Sequence, residues 1–370
     1  MAERKNEAAW VESRQRWQIN VQVDGKRRTF TSSTPGKKGK AEAERKAETW
    51  LREPTVNDQT RAGKLLDAYT AHLKATASTT HYSQYEGSIR RYISPVIGLK
   101  RMSRLTEGDL QDVIDLAYAK RDLSDKTLRD VRGCILAWLK WCRRHGYSKL
   151  HPEGLTIPAG ARKPEKKIVH PAGLTTLFSS EDTIYRGKEV TDWYIHAYRF
   201  AVLTGVRPGE LCGLQQGDIK GSKVTLRRSF NVHGETTQGK NNNARRTFQL
   251  PARAVTELEA QRAQLRRAGI ISPYLFPDDE GGQTKEPNLY HAWLRYCKAN
   301  QIPPVSLYEL RHTFVSVNKE MPSGLKKMAV GHSKDMDTEG TYGHQMAGDL
   351  VRAAAYSEAA FDAIIGKCVL

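Results

Sequence analysis

Ser306–His344 reads SLYELRHTFVSVNKEMPSGLKKMAVGHSKDMDTEGTYGH. It opens on an amphipathic run in which Tyr308 and Arg311 stand three apart and share a helical face, with His312 beside them. A loop at Pro322-Ser323-Gly324 follows, then an apolar run from Leu325 to Val330, then Gly331-His332, and last Tyr342 between Thr341 and Gly343. An arginine fork grips two phosphate oxygens at once. A phenol can serve as a covalent nucleophile. Tyr308, Arg311, His332 and Tyr342 therefore form a phosphate-handling set.

Working upstream, Arg207 stands in Leu203–Leu214, LTGVRPGELCGL. Gly205 permits a turn and Pro208 suits the first position of the next helix, so Arg207 is placed at a helix entrance, where anions bind. Glu210, three residues on, is placed to orient the guanidinium. Alone, this would be an ordinary Arg–Glu surface pair; Arg311 downstream makes it a candidate half of a two-arginine phosphate clamp. Lys240 lies at the tip of an expected hairpin, in Gln238–Asn243, followed by Ala244, Arg245 and Arg246.

These four motifs, in this order, resemble the tyrosine recombinase (phage integrase) family, specifically the mobile-element or conjugative-transposon integrases. LYELRHTF, VGHS and TYGH match its C-terminal motifs, LTGVRPGEL its first arginine motif, and GKNNNARRTFQL its hairpin lysine motif. The resemblance is strong from about Thr191 onward and loose before it. It implies that Arg207 and Arg311 clamp one phosphate, that Lys240 protonates the departing 5′ oxygen, and that His332 bonds the phosphate. Tyr342 would attack the phosphorus, leaving a 3′-phosphotyrosyl link. Two positions depart from the pattern. Ala244 stands where the family has serine, which removes one phosphate contact. Tyr308 stands where most members have histidine. Its phenol can donate a hydrogen bond but, with an ordinary pKa of about 10, is no base near neutral pH. Two readings stay open for it: a phosphate contact, with His312 or another group supplying any base, or a packed tyrosine.

Composition agrees with a polyanionic partner. The 370 residues carry 59 Lys and Arg against 41 Asp and Glu, for +18 and a pI near 9.6. Cys134, Cys142, Cys212, Cys297 and Cys368 are odd in number and scattered in apolar runs, as expected of reduced core thiols. No Cys/His spacing suggests a metal, no cofactor is expected, and the recombination chemistry needs neither. The N-terminus MAERKNEAAW has no apolar signal core, and no run is long enough to span a membrane. A cytoplasmic protein, nucleoid-associated when bound and free of membranes, is expected.

The expected architecture is multidomain. Residues 1–55 read as a small β-sheet plus helix, with thirteen Lys and Arg against eight Asp and Glu. Trp17, Ile19, Val21 and Val23 alternate along one strand, Asp24-Gly25 turns it, and Lys26–Thr31 returns. Pro35–Lys40 reads as a basic loop and Ala41–Leu51 as a helix. The strand residues Lys26, Arg27 and Arg28 are candidate DNA contacts, as β-ribbons can enter a groove; the module resembles an arm-type DNA-binding domain. Residues 58–150 read as an all-α bundle resembling the family's core-binding domain, with Thr106 and Asp109 capping one helix and Thr80, Arg90 and Arg91 as phosphate contacts. Residues 151–169 read as a basic linker. Residues 170–370 read as a mixed α+β, mainly helical catalytic domain of tyrosine recombinase type, with Arg246 a further DNA contact.

The tail from Leu350 to Ile365 reads as an amphipathic helix. Two readings stay open for it: packing on its own domain or, as the resemblance implies, docking on a neighbouring protomer. The resemblance also implies binding of double-stranded DNA at core and arm attachment sites, a homo-tetramer on DNA, and a directionality factor and a host DNA-bending protein as partners. The expected function is site-specific recombination for integration and excision of a phage or conjugative transposon. The rivals are a non-catalytic regulatory or architectural DNA-binding protein and a type IB topoisomerase-like enzyme.

Overall fold

A computed structural model describes residues 6–23, 26–52, 60–231, 233–237, 245–331, 346 and 348–366. The chain forms two compact units, Met1–Pro164 and Glu165–Leu370.

The first unit has two separate apolar cores. Strands β1 (Ala9–Val11), β2 (Arg16–Val23) and β3 (Lys26–Ser32) form an antiparallel sheet in that order, with Ile19 opposite Phe30 and Val21 opposite Arg28. Side chains alternate between faces along a strand. The face carrying Ile19, Val21 and Phe30 therefore packs on helix α1 (Gly36–Arg52) through Ala43, Ala47 and Trp50. The expected basic loop at 35–40 is largely the first turn of α1. Strand β1 was not foreseen: its three residues, AWV, carry no alternation to read.

The second core belongs to a bundle of α2 (Ala62–Thr76), α3 (Thr79–Ser88), α4 (Ser94–Ile97), α5 (Glu107–Arg121) and α6 (Asp125–Arg144). Leu65, Leu66, Tyr69 and Leu73 of α2 are buried against Ile135, Trp138 and Leu139 of α6 and their neighbours. The expected cap at Thr106 is present in both directions. Its hydroxyl accepts from the Asp109 N–H at 3.3 Å, and the Asp109 carboxylate accepts from the Thr106 N–H at 3.0 Å. Between α3 and α4 the chain makes a π-helical turn, Ile89–Ile93, that keeps Ile89 and Ile93 in the core and turns Arg90 and Arg91 to solvent. The segment expected as a linker is divided. Leu155 and Ala161 bury in the bundle core, and the Asp125 N–H bonds the Arg162 carbonyl at 2.9 Å. From Glu165 onward the chain belongs to the second unit.

There, α7 (Pro171–Ser179) is followed by a hairpin, β4 (Asp182–Tyr185) and β5 (Lys188–Thr191), and then α8 (Ile195–Thr204). The sequence reading gives no hairpin between these two helices. Its polarity is inverted, with Thr183 buried and Ile184 exposed, so hydrophobic alternation could not announce it. Arg186 and Gly187, at φ 51° and 77°, make its turn. Helix α9 (Pro208–Gly213) leads to a sheet of β6 (Ile219–Lys220), β7 (Lys223–Leu226) and β10 (Arg246–Gln249) in the order β10-β7-β6, and to the short pair β8 (Ser229–Phe230) and β9 (Thr236–Thr237). Helices α10 (Ala252–Arg267), α11 (Glu286–Ala299), α12 (Leu307–Val317) and α13 (Ser323–Val330) complete the core around Tyr198, Phe200, Trp293 and Tyr296.

The tail helix α14 (Asp349–Ile365) packs on its own domain. Phe361 is fully buried beside Phe178, and Arg253 bonds Asp362 and pairs with Glu358 at 3.5 Å. A buried aromatic ring and a shielded ion pair give the helix a seat in cis. The cysteines Cys134, Cys142, Cys212 and Cys297 are free and buried, and burial pushes each thiol up to about 12. Among the described residues no helix is long and apolar enough to cross a membrane.

Candidate active site

The site is built by three turns of chain that meet around one carboxylate. Helix α8 ends at Gly205, whose φ of 64° suits glycine, and a Cβ there would stand 2.6 Å from the Phe314 ring. This close approach brings α12 against the α8 terminus. Arg311, on the same helix, donates from Nη1 to the Gly205 carbonyl at 2.9 Å. The Arg311 side chain is only 2% exposed, and its Nη2 has no hydrogen-bond partner among the described residues. A buried charged donor without an acceptor is costly, and it marks the place where an anion belongs. Burial first, then the neighbouring charges of Arg207 and Arg246, lower the Arg311 guanidinium to about 10, which leaves it cationic at neutral pH.

Arg207 precedes α9, as expected, with Pro208 at the first helical position. Its backbone N–H donates to Glu210 Oε2 at 2.9 Å, its Nη1 to Glu210 Oε1 at 2.7 Å, and its Nη2 to the Gly331 carbonyl at 3.1 Å. Since α9 has only six residues, the anion-holding capacity lies in the side chains rather than in a helix terminus. The last bond links the first arginine motif to the residue before His332. Glu210 itself is 2% exposed. Burial pushes its carboxyl up, but Arg246 and Arg207 more than offset that and hold it below the usual carboxylate range.

Arg246, expected as a DNA contact, is instead part of this cluster. Its Nη1 and Nη2 donate to the two oxygens of Glu210 at 2.9 and 3.1 Å, and its Nε to the Ala329 carbonyl at 3.0 Å. The side chain is 8% exposed. Sequence reasoning placed this residue correctly on the returning strand but could not see that the strand turns it inward. Three guanidiniums against one carboxylate leave the described cluster with an excess of two positive charges.

Tyr308 is half exposed and its ring meets the His312 ring edge-on, with centroids 5.3 Å apart. Burial first, then Lys166, lower the His312 pKa below its ordinary value, which favours the neutral imidazole. The chain entering the unit is fastened to this helix: the Lys167 N–H donates to Glu309 Oε1 and the Val169 N–H to Thr313 Oγ1, each at 2.9 Å. Lys240, His332 and Tyr342 lie outside the described residues.

The other expected contacts fall in the first unit. Arg27 and Arg28 are exposed on β3, but on opposite faces: Arg28 sits over the Phe30 ring on the α1 side, with its guanidinium 5.4 Å from the centroid. Lys26 begins β3, and its side chain lies outside the description. The open face presents Arg27 and Thr29 beside Gln18, Asn20 and Gln22, a row that the search for cations overlooked and strand alternation could have found. Thr80 is exposed in the first turn of α3. Arg90 pairs with Glu86 at 3.2 Å, and the Arg91 Nε donates to the Gly87 carbonyl at 3.0 Å. Among the described residues no three His, Cys, Asp or Glu side chains gather to hold a metal ion. An apolar pocket under α14, lined by Leu203, Phe248, Phe314 and Leu350 among others, offers no charged group and is not this site.

Comparison with known proteins assigns the cluster to a lineage. Residues 184–348 match the model of the phage integrase family, and residues 63–116 match that of the phage integrase N-terminal SAM-like domain. The chain belongs to the phage integrase family. A protein of Caldanaerobacter subterraneus subsp. tengcongensis named tyrosine recombinase XerC-like is 25% identical over 296 residues, which span 71% of this chain and 73% of that protein. The family fold extends over most of the chain. The Tn1549 transposon integrase in complex with transposon right end DNA superposes with a TM-score of 0.63 at 18% identity, covering 81% of this chain and 100% of that one. A lambda integrase tetramer bound to a Holliday junction superposes with a TM-score of 0.57 at 13% identity, covering 93% of this chain and 99% of that one. The 1–55 range lies outside the two family models.

Proposed function

We propose that the protein is a site-specific DNA recombinase that cuts and rejoins DNA to integrate and excise a phage or conjugative transposon. One observation carries the reading: in a chain of this family, a buried guanidinium, Arg311, keeps a free donor within a cluster that also holds Arg207. Those two arginines grip the scissile phosphate and offset the charge that builds on it in the transition state. The Tyr342 oxygen gives its proton to a base, for which neutral His312 is the candidate, and forms a bond to phosphorus as the bond to the 5′ oxygen breaks. Lys240 gives that oxygen its proton, and His332 and Tyr308 donate hydrogen bonds to the phosphate. The phosphotyrosyl bond conserves the phosphodiester energy, so a second 5′-hydroxyl reverses the step without a nucleotide.

Residues 1–55 bind arm sites and residues 58–150 bind core sites, 151–169 link them to the catalytic domain at 170–370, and four copies act together on DNA with a directionality factor and a host bending protein. In the arm module, the open sheet face supports direct readout. Gln18, Asn20 and Gln22 are side chains suited to adenine edges, and Arg27 to guanine. Thr80, Arg90 and Arg91 suit backbone phosphates. The work is done in the cytoplasm.

The test is covalent capture. Protein is incubated with nicked duplexes spanning the ends of the element, then resolved on a denaturing gel. Wild type is expected to leave a protein–DNA adduct with a free 5′-hydroxyl, and Tyr342→Phe none. An adduct that survives Tyr342→Phe removes the nucleophile assignment. A gel shift without any adduct favours the non-catalytic DNA-binding reading.

A further inference from the structure

We propose that Arg246 is a positioning residue for strand cleavage, one that engages Glu210 so that Arg207 stays aimed at the phosphate. The inference rests on the recombinase reading above and gives Arg246 a role other than DNA contact. The argument starts from the acceptor capacity of Glu210. Its two oxygens receive four donors: the backbone N–H and Nη1 of Arg207, and Nη1 and Nη2 of Arg246. Arg246 takes the forked, two-oxygen geometry, which is the strong form of an arginine–carboxylate pair. Arg207 is left with a single side-chain bond to Glu210, and its Nη2 reaches the Gly331 carbonyl instead.

Without Arg246, both carboxylate oxygens would fall to Arg207. A forked pair there would offset its charge and turn its donors toward Glu210. The charge facing a phosphate would then come from Arg311 alone. Arg246 also donates to the Ala329 carbonyl, two residues before Gly331. The same side chain thus holds α9, the foot of β10 and the end of α13 in one register. All three of its donor nitrogens are engaged within the protein, which is the geometry of a positioning group.

The test uses the full-length protein and the duplex whose cleaved phosphate covalent capture has marked, made with either a phosphate or a neutral methylphosphonate at that position. Arg246→Gln is expected to slow adduct formation on the order of 100-fold on the phosphate, the size of effect seen when one preorganised donor is lost from an oxyanion site. On the methylphosphonate, which carries no charge to offset, the loss should stay below about tenfold. Arg246→Lys keeps the charge but cannot fork, so its loss on the phosphate should fall between wild type and Arg246→Gln. Equal losses on both substrates, alongside a lower melting temperature, would reduce Arg246 to a folding role and overturn the proposal. So would an unchanged rate on the phosphate. A second measurement needs no DNA: titration with inorganic phosphate should raise the melting temperature of wild type more than that of Arg246→Gln. Equal stabilisation overturns the proposal. Failure of wild type to form any adduct would count against the recombinase reading, while the phosphate titration still decides the role of Arg246.

Discussion

Replacing Glu210 with Gln keeps the shape of the site and removes its only described negative charge. Glu210 is 2% exposed and accepts from both Arg207 and Arg246, so the substitution leaves two shielded guanidiniums without their counter-charge beside a third, Arg311. Breaking a buried pair by removing one partner costs about 3–5 kcal/mol. For a unit of about two hundred residues, each kcal/mol moves the melting temperature by about 2–4 °C, which gives a fall of roughly 6–20 °C. The pH dependence has a definite sign. The folded Glu210 carboxyl lies below its unfolded value of 4.5, so its charge stabilises the fold above that pH, and the contribution is lost as pH falls through the folded value. Urea melts followed by tryptophan fluorescence should therefore show a wide gap between wild type and Glu210→Gln at pH 7 that narrows in acid. The double variant Glu210→Gln, Arg246→Met removes one orphaned cation and should recover part of the loss. A loss under about 1 kcal/mol at pH 7, or a gap that ignores pH, would refute the claim that this carboxylate balances the arginine cluster.

Two further outcomes follow from burial elsewhere in the catalytic unit. Phe361→Ala empties the fully buried anchor of α14 and should cost about 3–5 kcal/mol; limited proteolysis should then cut within Asp349–Ile365 well before the domain core. Asp192 is buried, and burial raises its carboxyl to about 6 although the Tyr194 N–H bond works the other way. Its neutral form is favoured in the folded chain, so stability present at acid pH is lost as pH rises through about 6. Asp192→Asn should remove that loss, gaining up to about 3 kcal/mol in urea melts at pH 7.5 and little at pH 4.

Much of this was legible from the chain, and the illegible parts share a cause. The apolar stripes of α2 and α6, the Thr106 cap and the placement of Arg207 before a proline-led helix are local patterns, and local patterns survive in a one-dimensional reading. Arg311 could be nominated by its motif, but its burial and its free Nη2 are products of Gly205 meeting Phe314 across more than a hundred residues. Arg246 was read as a surface cation because strand position does not reveal which carboxylate lies beneath it. The β4–β5 hairpin hid behind Thr183 pointing inward and Ile184 outward. The apolar stripe of the tail could be read from spacing, but the seats of Phe361 beside Phe178 and of Asp362 beside Arg253 join residues far apart in sequence.

The two backbone bonds from Lys167 and Val169 to α12 have a mechanical meaning. They weld the incoming chain to the helix bearing Arg311, at Glu309 and Thr313, on either side of the arginine in sequence. Residues 167–169 are thereby fixed to that helix at points less than a turn from the guanidinium.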